Sequence, residues 1–212
     1  MRKQFDDQLA KLRTEMKECG QYCEQSLAQA TRVFFDSDIK LLEQVFSITR
    51  SIDKKTHKIE NLCFMLLLRQ QPVAIDLRTI TATLKSNFDI KRISSQAFDI
   101  AEIVKISEGL KPHEISEDVL QPLRQMAEQA KSMLSQSLST FFDQDIAGAE
   151  QVINSDDFVD ECFAKVKTGI AKSLAGQEQG DYFVDVLMIA KYFERISDHC
   201  VNIARWTVKY FG

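Results

Sequence analysis

Phe34-Phe35-Asp36-Ser37-Asp38-Ile39, continuing to Glu43-Gln44-Val45, returns as Phe141-Phe142-Asp143-Gln144-Asp145-Ile146 with Glu150-Gln151-Val152, matching at eight of twelve positions without a gap. Self-similarity of that length marks a duplicated structural unit. Further on, Arg92-Ile93-Ser94 with Ile100-Ala101 returns as Arg195-Ile196-Ser197 with Ile203-Ala204 at nearly the same offset. The chain divides into two homologous halves, residues 1–110 and 111–212. A linker near Gly109 to Gln121 joins them, where Pro112 and Pro122 interrupt the helical pattern.

Within each half the apolar residues recur at three and four. Val159, Phe163, Val166 and Ile170 form one stripe, and Ile189, Phe193, Ile196, Cys200 and Ile203 another, the period of an amphipathic helix. Breaks fall at Asp36-Ser37-Asp38, Gln70-Gln71-Pro72, Asp143-Gln144-Asp145 and Gly176 to Gly180, where capping acids, a proline at a helix start and glycines supply the punctuation. The expected fold is all-α: six long helices, each of roughly 30 residues and about 45 Å, forming two tandem homologous three-helix bundles. Short connections make neighbours antiparallel.

Composition agrees. Of 212 residues 44% are apolar, enough for a sizeable core, while seven glycines and three prolines are too few for the turns of an all-β domain. A net charge of −4 from 27 basic and 31 acidic residues is too balanced for a general nucleic-acid binder, although it leaves room for a local basic patch. No apolar run approaches the roughly 18 residues of a spanning helix. The opening Met1-Arg2-Lys3-Gln4-Phe5-Asp6-Asp7 carries carboxylates where a signal peptide needs an apolar stretch. Five cysteines, an odd number, sit in apolar-periodic segments as buried free thiols would. A cytoplasmic protein is expected.

Carboxylates gather in the second half. Glu194 and Asp198 stand at i and i+4 on one side of their helix, at the margin of its apolar stripe. Asp157 and Asp160 occupy the same margin of the preceding helix. Asp160 lies seventeen residues before the turn near residue 177 and Glu194 seventeen after it, so an antiparallel hairpin sets them at one height. The two margins then face one another or both point away. If they face, charges about 4 Å apart repel by about 4 kcal/mol at an effective dielectric of about 20. An oxygen-rich set of this kind suits iron or another divalent metal ion. The competing reading is a solvated acidic face partly neutralised by Lys167, Lys191 and Arg205.

The duplicate is an internal control. The first-half equivalents of Asp157, Asp160, Glu194 and Asp198 are Arg50, Asp53, Lys91 and Ser95, which turns a formal charge of −4 into +1. That half is expected to hold no cation there and to pair Asp53 with Lys91 across the hairpin. Asp89, Asp99 and His57 remain nearby, Asp89 on the opposite margin of its stripe. Only His57, His113 and His199 are present, none in a Glu-x-x-His pair, and no glycine-rich loop precedes a helix. Asp36, Asp38, Asp143 and Asp145 read as caps, and Lys54, Lys55 and Lys58 as a solvated basic turn with the alternative of contact with an acidic partner.

Gln71-Pro72-Val73-Ala74-Ile75-Asp76-Leu77-Arg78, and Phe193-Glu194-Arg195-Ile196-Ser197-Asp198-His199 with Asn202-Ile203-Ala204, closely resemble the two signature stretches of the PhoU family of phosphate-signalling accessory proteins. The likeness covers nearly the whole chain, duplication included. It implies a cytoplasmic, usually dimeric protein of two three-helix bundles, with an acidic E/D-x-x-x-D motif in each repeat that binds iron or other metal clusters. Glu194 and Asp198 match that motif, while Lys91 and Ser95 depart from it, so the first-repeat site is degenerate.

The resemblance also implies a non-enzymatic adaptor. Its expected partners are the ATPase subunit of the phosphate ABC transporter and a phosphate sensor histidine kinase, and it restrains uptake and phosphate-starvation genes when phosphate is plentiful. Membrane association would come only through those partners. The alternative is a metal-dependent hydrolase or oxidase using the second-half carboxylates.

Overall fold

The computed structural model describes residues 2–70, 72–107, 115–174 and 180–212, the side chains of Arg2, Arg69 and Gln70 apart. The expected boundary between residues 110 and 111 lies outside them, as do Gly109, Pro112, His113 and Gly176. The helices are α1 (Arg2–Phe35), α2 (Leu42–Gln70), α3 (Ala74–Ile106), α4 (Glu117–Asp143), α5 (Ile146–Asn154), α6 (Asp156–Leu174) and α7 (Gly180–Phe211), with a short 3-10 turn at Ile39–Leu41. Helices α1 to α3 build the first bundle and α4 to α7 the second, with no strand among the described residues. No described helix is long and apolar enough to cross a membrane.

The repeat is visible in backbone geometry. Ser37 and Gln144, which occupy the same place after the paired phenylalanines, are the two non-glycine residues with positive φ among those described, at 52° and 56°. Each turns the chain from the first helix of its half toward the next, as a left-handed residue does after a helix C-terminus. The capping acids differ between halves. The Asp145 side chain accepts from the Gly148 amide at 3.1 Å, whereas Asp38 makes no cap and accepts from Arg32 Nη2 at 2.9 Å.

Two expectations need correction. Pro122 does not end a helix. It lies in the second turn of α4, where the missing amide frees only the Asp118 carbonyl, and that carbonyl faces the Cα of Gly169 on α6, where an added Cβ would stand 3.5 Å from it. The middle helix of the second half is also not continuous, because Ser155 divides it into α5 and α6.

The halves share one core. Helices α3 and α7 run antiparallel along each other, joined by Asp89 to His199 at the middle of α3 and by Ser107 to Asp185 just past its C-terminus. Phe35 stacks on Phe193 of the other half with ring centroids 6.4 Å apart, under the Arg124 guanidinium. In the opposite direction Arg13 donates to the Phe142 carbonyl at 2.7 Å. The five cysteines are all buried and free, and burial pushes Cys19 and Cys63 up to about 12.

Candidate functional site

The carboxylates of α6 and α7 do face each other. Burial and the neighbouring Asp198, Asp160 and Glu194 raise the Asp156 carboxyl to about 6, against the opposing pull of Arg205. Asp198 is raised in the same way by burial, Glu194 and Asp160, with Lys191 opposing. The acids brought together are Asp156, Asp160, Glu194 and Asp198. Asp157 is exposed and is absent from the charges that act on either of the raised acids. Its displacement follows from which residues of α6 are buried: Val159, Cys162, Val166, Gly169 and Ile170. Cys162 and Gly169 take the core side and Phe163 only its margin, so the helix is turned, Asp157 points away from the core, and Asp156 stands above Asp160 one turn earlier. The signal in the sequence was Gly169, whose Cβ would meet Val119 Cγ2 at 2.6 Å; only a residue without a side chain lets α6 approach α4 there.

Part of the negative charge is answered locally. Lys191 Nζ lies against both oxygens of Glu194, at 2.5 Å from Oε1. Lys191 and Lys167 also flank the Phe163 ring at 5.2 and 5.7 Å from its centroid. The donor chemistry, hard carboxylate oxygens under mutual repulsion, is that of a divalent-cation site. As the side chains stand, however, no group of three His, Cys, Asp or Glu among the described residues converges to coordinate an ion. The geometry therefore fits a cation in donor type and not in position.

In the first half the matching positions are Thr49, Asp53, Lys91 and Ser95, of zero net charge. The expected pair is present: Lys91 Nζ lies 3.1 Å from Asp53 Oδ1, with both side chains well exposed. In the basic turn on α2, Lys54 is exposed as expected, while Lys55 and Lys58 meet acids of α1. Lys58 reaches Glu15 of α1 at 2.5 Å, and Lys55 bridges Glu15 at 3.2 Å and Glu18 at 2.6 Å. Glu15 is only 9% exposed, and hydrogen bonds from the two lysines hold its carboxyl below the usual range despite burial.

A second polar centre lies at the junction of the halves. Asp89 of α3, 4% exposed, accepts from three side chains of α7: His199 Nδ1 at 2.9 Å, Trp206 Nε1 at 2.9 Å and Asn202 Nδ2 at 3.4 Å. Its place on the margin opposite Lys91 aims it at the other half, which is visible in the helical spacing; its partners, about 110 residues away, are not. Asp99 is half-buried and raised by that burial and by Glu102. His57 sits exposed, 3.8 Å from Glu60.

Comparison with known proteins agrees with the duplicated architecture. The family model described as the PhoU domain matches twice, over residues 16–104 and 123–207. A relative named phosphate-specific transport system accessory protein PhoU homolog 1, from Methanothermobacter thermautotrophicus, is 33% identical over 205 residues, covering 96% of this chain and 92% of its own. A PhoU homolog from Clostridium acetobutylicum is 28% identical over 209 residues, covering 98% and 94%. The crystal structure of PhoU from Pseudomonas aeruginosa superposes with a TM-score of 0.90 at 25% identity, over 97% of this chain and 98% of that one. Two matched domains, a relative alike along almost its whole length and a shared fold leave one conclusion: the chain belongs to the PhoU family.

Proposed function

We propose that the protein is a non-enzymatic regulator of phosphate uptake and phosphate-starvation signalling. It acts in the cytoplasm, as a homodimer, as an adaptor between the ATPase subunit of a phosphate ABC transporter and a sensor histidine kinase. The observation that carries this reading is the end-to-end likeness to accessory proteins of phosphate-specific transport, over 96% of the chain for one relative. The long helix faces suit docking on partners. Deleting the gene should switch on phosphate-starvation genes in phosphate-rich medium. An unchanged reporter response in the deletion strain refutes the proposal.

Iron or another divalent ion on the α6/α7 face belongs to the same proposal, in a structural or regulatory role. It would be held by Asp156, Asp160, Glu194 and Asp198, would need Lys191 to turn from Glu194, and would relieve the repulsion that raises Asp156 and Asp198. Elemental analysis after gentle purification checks it. Stoichiometric metal lost in Glu194→Gln supports the site, and metal-free protein from metal-replete cells rejects it.

A further inference from the structure

A chain of net charge −4 carries a basic and aromatic strip on the outer side of α3 and the end of α7. Lys85 and Arg92, seven residues apart on α3, share a side of that helix. Lys85 Nζ and Lys209 Nζ each lie 5.6 Å from the centroid of the Trp206 ring, on which the two cations converge. Arg92 lies over Phe88, with Cζ 5.0 Å from its centroid, and Lys209 also sits 5.7 Å from Tyr210. Among the described residues none of the three cations is in an ion pair, and each spends its charge on an aromatic face instead. Phe88 is 55% exposed.

Between Phe88 and Trp206 runs a groove of about 490 Å³, with the buried Asp89 at its base. The Asp89 carboxylate is turned inward, held by three donors of α7. The groove's other acid, Glu60, faces His57 at 3.8 Å. Both acids keep their formal charge, but Lys85, Arg92 and Lys209 outnumber them three to two, which leaves the strip and its groove at +1 with the histidines neutral. The Trp206 indole is tethered to Asp89 at 2.9 Å, so this ring is oriented before anything binds and adds little to the ordering cost. Tryptophan and arginine are the residue types that carry most of the energy at protein interfaces. The groove admits an inserted side chain, a shape suited to a folded or extended polypeptide more than to a flat bilayer.

We propose that this strip docks an acidic segment of a partner protein. An apolar anchor of that segment enters between Phe88 and Trp206, and its carboxylates draw Lys85, Arg92 and Lys209 off the aromatic rings. The assignment rests on the adaptor reading and deepens it, but its test is separate from the gene deletion that checks that reading.

Trp206 is the single tryptophan of the chain, so its emission reports the groove directly. The probe is a random glutamate–tyrosine copolymer, compared with a lysine–tyrosine copolymer and with vesicles of phosphatidylglycerol. The acidic copolymer should change Trp206 emission saturably, less so at higher salt. Affinity should fall about tenfold or more in Lys85→Glu/Lys209→Glu and stay unchanged in the control Lys172→Glu on α6. Lys85 and Lys209 are exposed, and far-ultraviolet circular dichroism verifies that the double variant is folded. The proposal is overturned by any of four results: no response to the acidic copolymer, an equal response to the basic one, an equal loss in Lys172→Glu, or a response to vesicles alone. Starvation genes switched on in the deletion strain together with no copolymer binding remove the surface and leave the adaptor standing.

Discussion

Replacing Asp89 by alanine tests whether the two halves are locked by polar as well as apolar contacts. The carboxylate is 4% exposed and accepts hydrogen bonds from His199, Asn202 and Trp206, all on the other half. A hydrogen bond to a charged group contributes about 1.5–3 kcal/mol. The Asn202 contact is long at 3.4 Å, and the three share one acceptor, so they do not add in full. Two bonds of normal length are lost together with the cost of burying the carboxylate, so the expected loss for Asp89→Ala is about 2–4 kcal/mol, a large part of the roughly 5–15 kcal/mol of a typical domain. Trp206→Phe keeps the ring packing and removes one donor, so it should cost about 1–2 kcal/mol. In the double variant the two losses should combine to less than their sum, because the indole bond can be lost only once. Urea unfolding followed by circular dichroism at helical wavelengths gives all three numbers. A loss below about 1 kcal/mol in Asp89→Ala would show that the apolar packing of α3 on α7 suffices and that the Asp89 centre adds nothing.

Three further outcomes are expected. The Asp156 carboxyl is raised from 3.8 to about 6 in the folded chain, so its ionised form destabilises the fold by an amount absent below about pH 4 and complete above about pH 6. Asp156→Asn should therefore raise stability at pH 7.5 by about 1–2 kcal/mol, allowing for the lost charge at the start of α6, with the gain fading toward pH 4; denaturant melts at the two pH values check the sign. Gly169→Ala should destabilise by about 1–3 kcal/mol, since its Cβ would come within 2.6 Å of Val119 Cγ2, and thermal melts measure it. The five buried thiols, raised by burial, should stay unreactive toward Ellman's reagent in native protein and all react in urea; rapid native labelling would contradict the packing of Cys19, Cys23 and Cys200.

The duplication, the helices apart from the break at Ser155 and the place of Pro122 inside α4, and the charge difference between the halves were legible before any coordinates. Each depends on residues close in sequence or on comparing one half with the other. The Lys91 to Asp53 contact at 3.1 Å was accessible in this way, because both residues belong to one hairpin whose register follows from its short turn. Less local features were not. Asp156 rather than Asp157 joins Asp160, Glu194 and Asp198 because the burial of Cys162 and Gly169 sets the rotation of α6, and that rotation is decided by contact with α4. Lys55 and Lys58 turned to Glu15 and Glu18 because α1 lies beside them, and a helical period says nothing about what the neighbouring helix presents.

The sequence by itself determined two similar all-helical halves and the concentration of acid in the second. Tertiary structure alone decided how those halves meet: α3 along α7, Asp89 under His199 and Trp206, and the basic aromatic strip beside them. The apolar period specifies how strongly a helix face avoids water and leaves open which face it meets. That choice is made by the summed packing of residues more than a hundred positions apart, which no local pattern encodes.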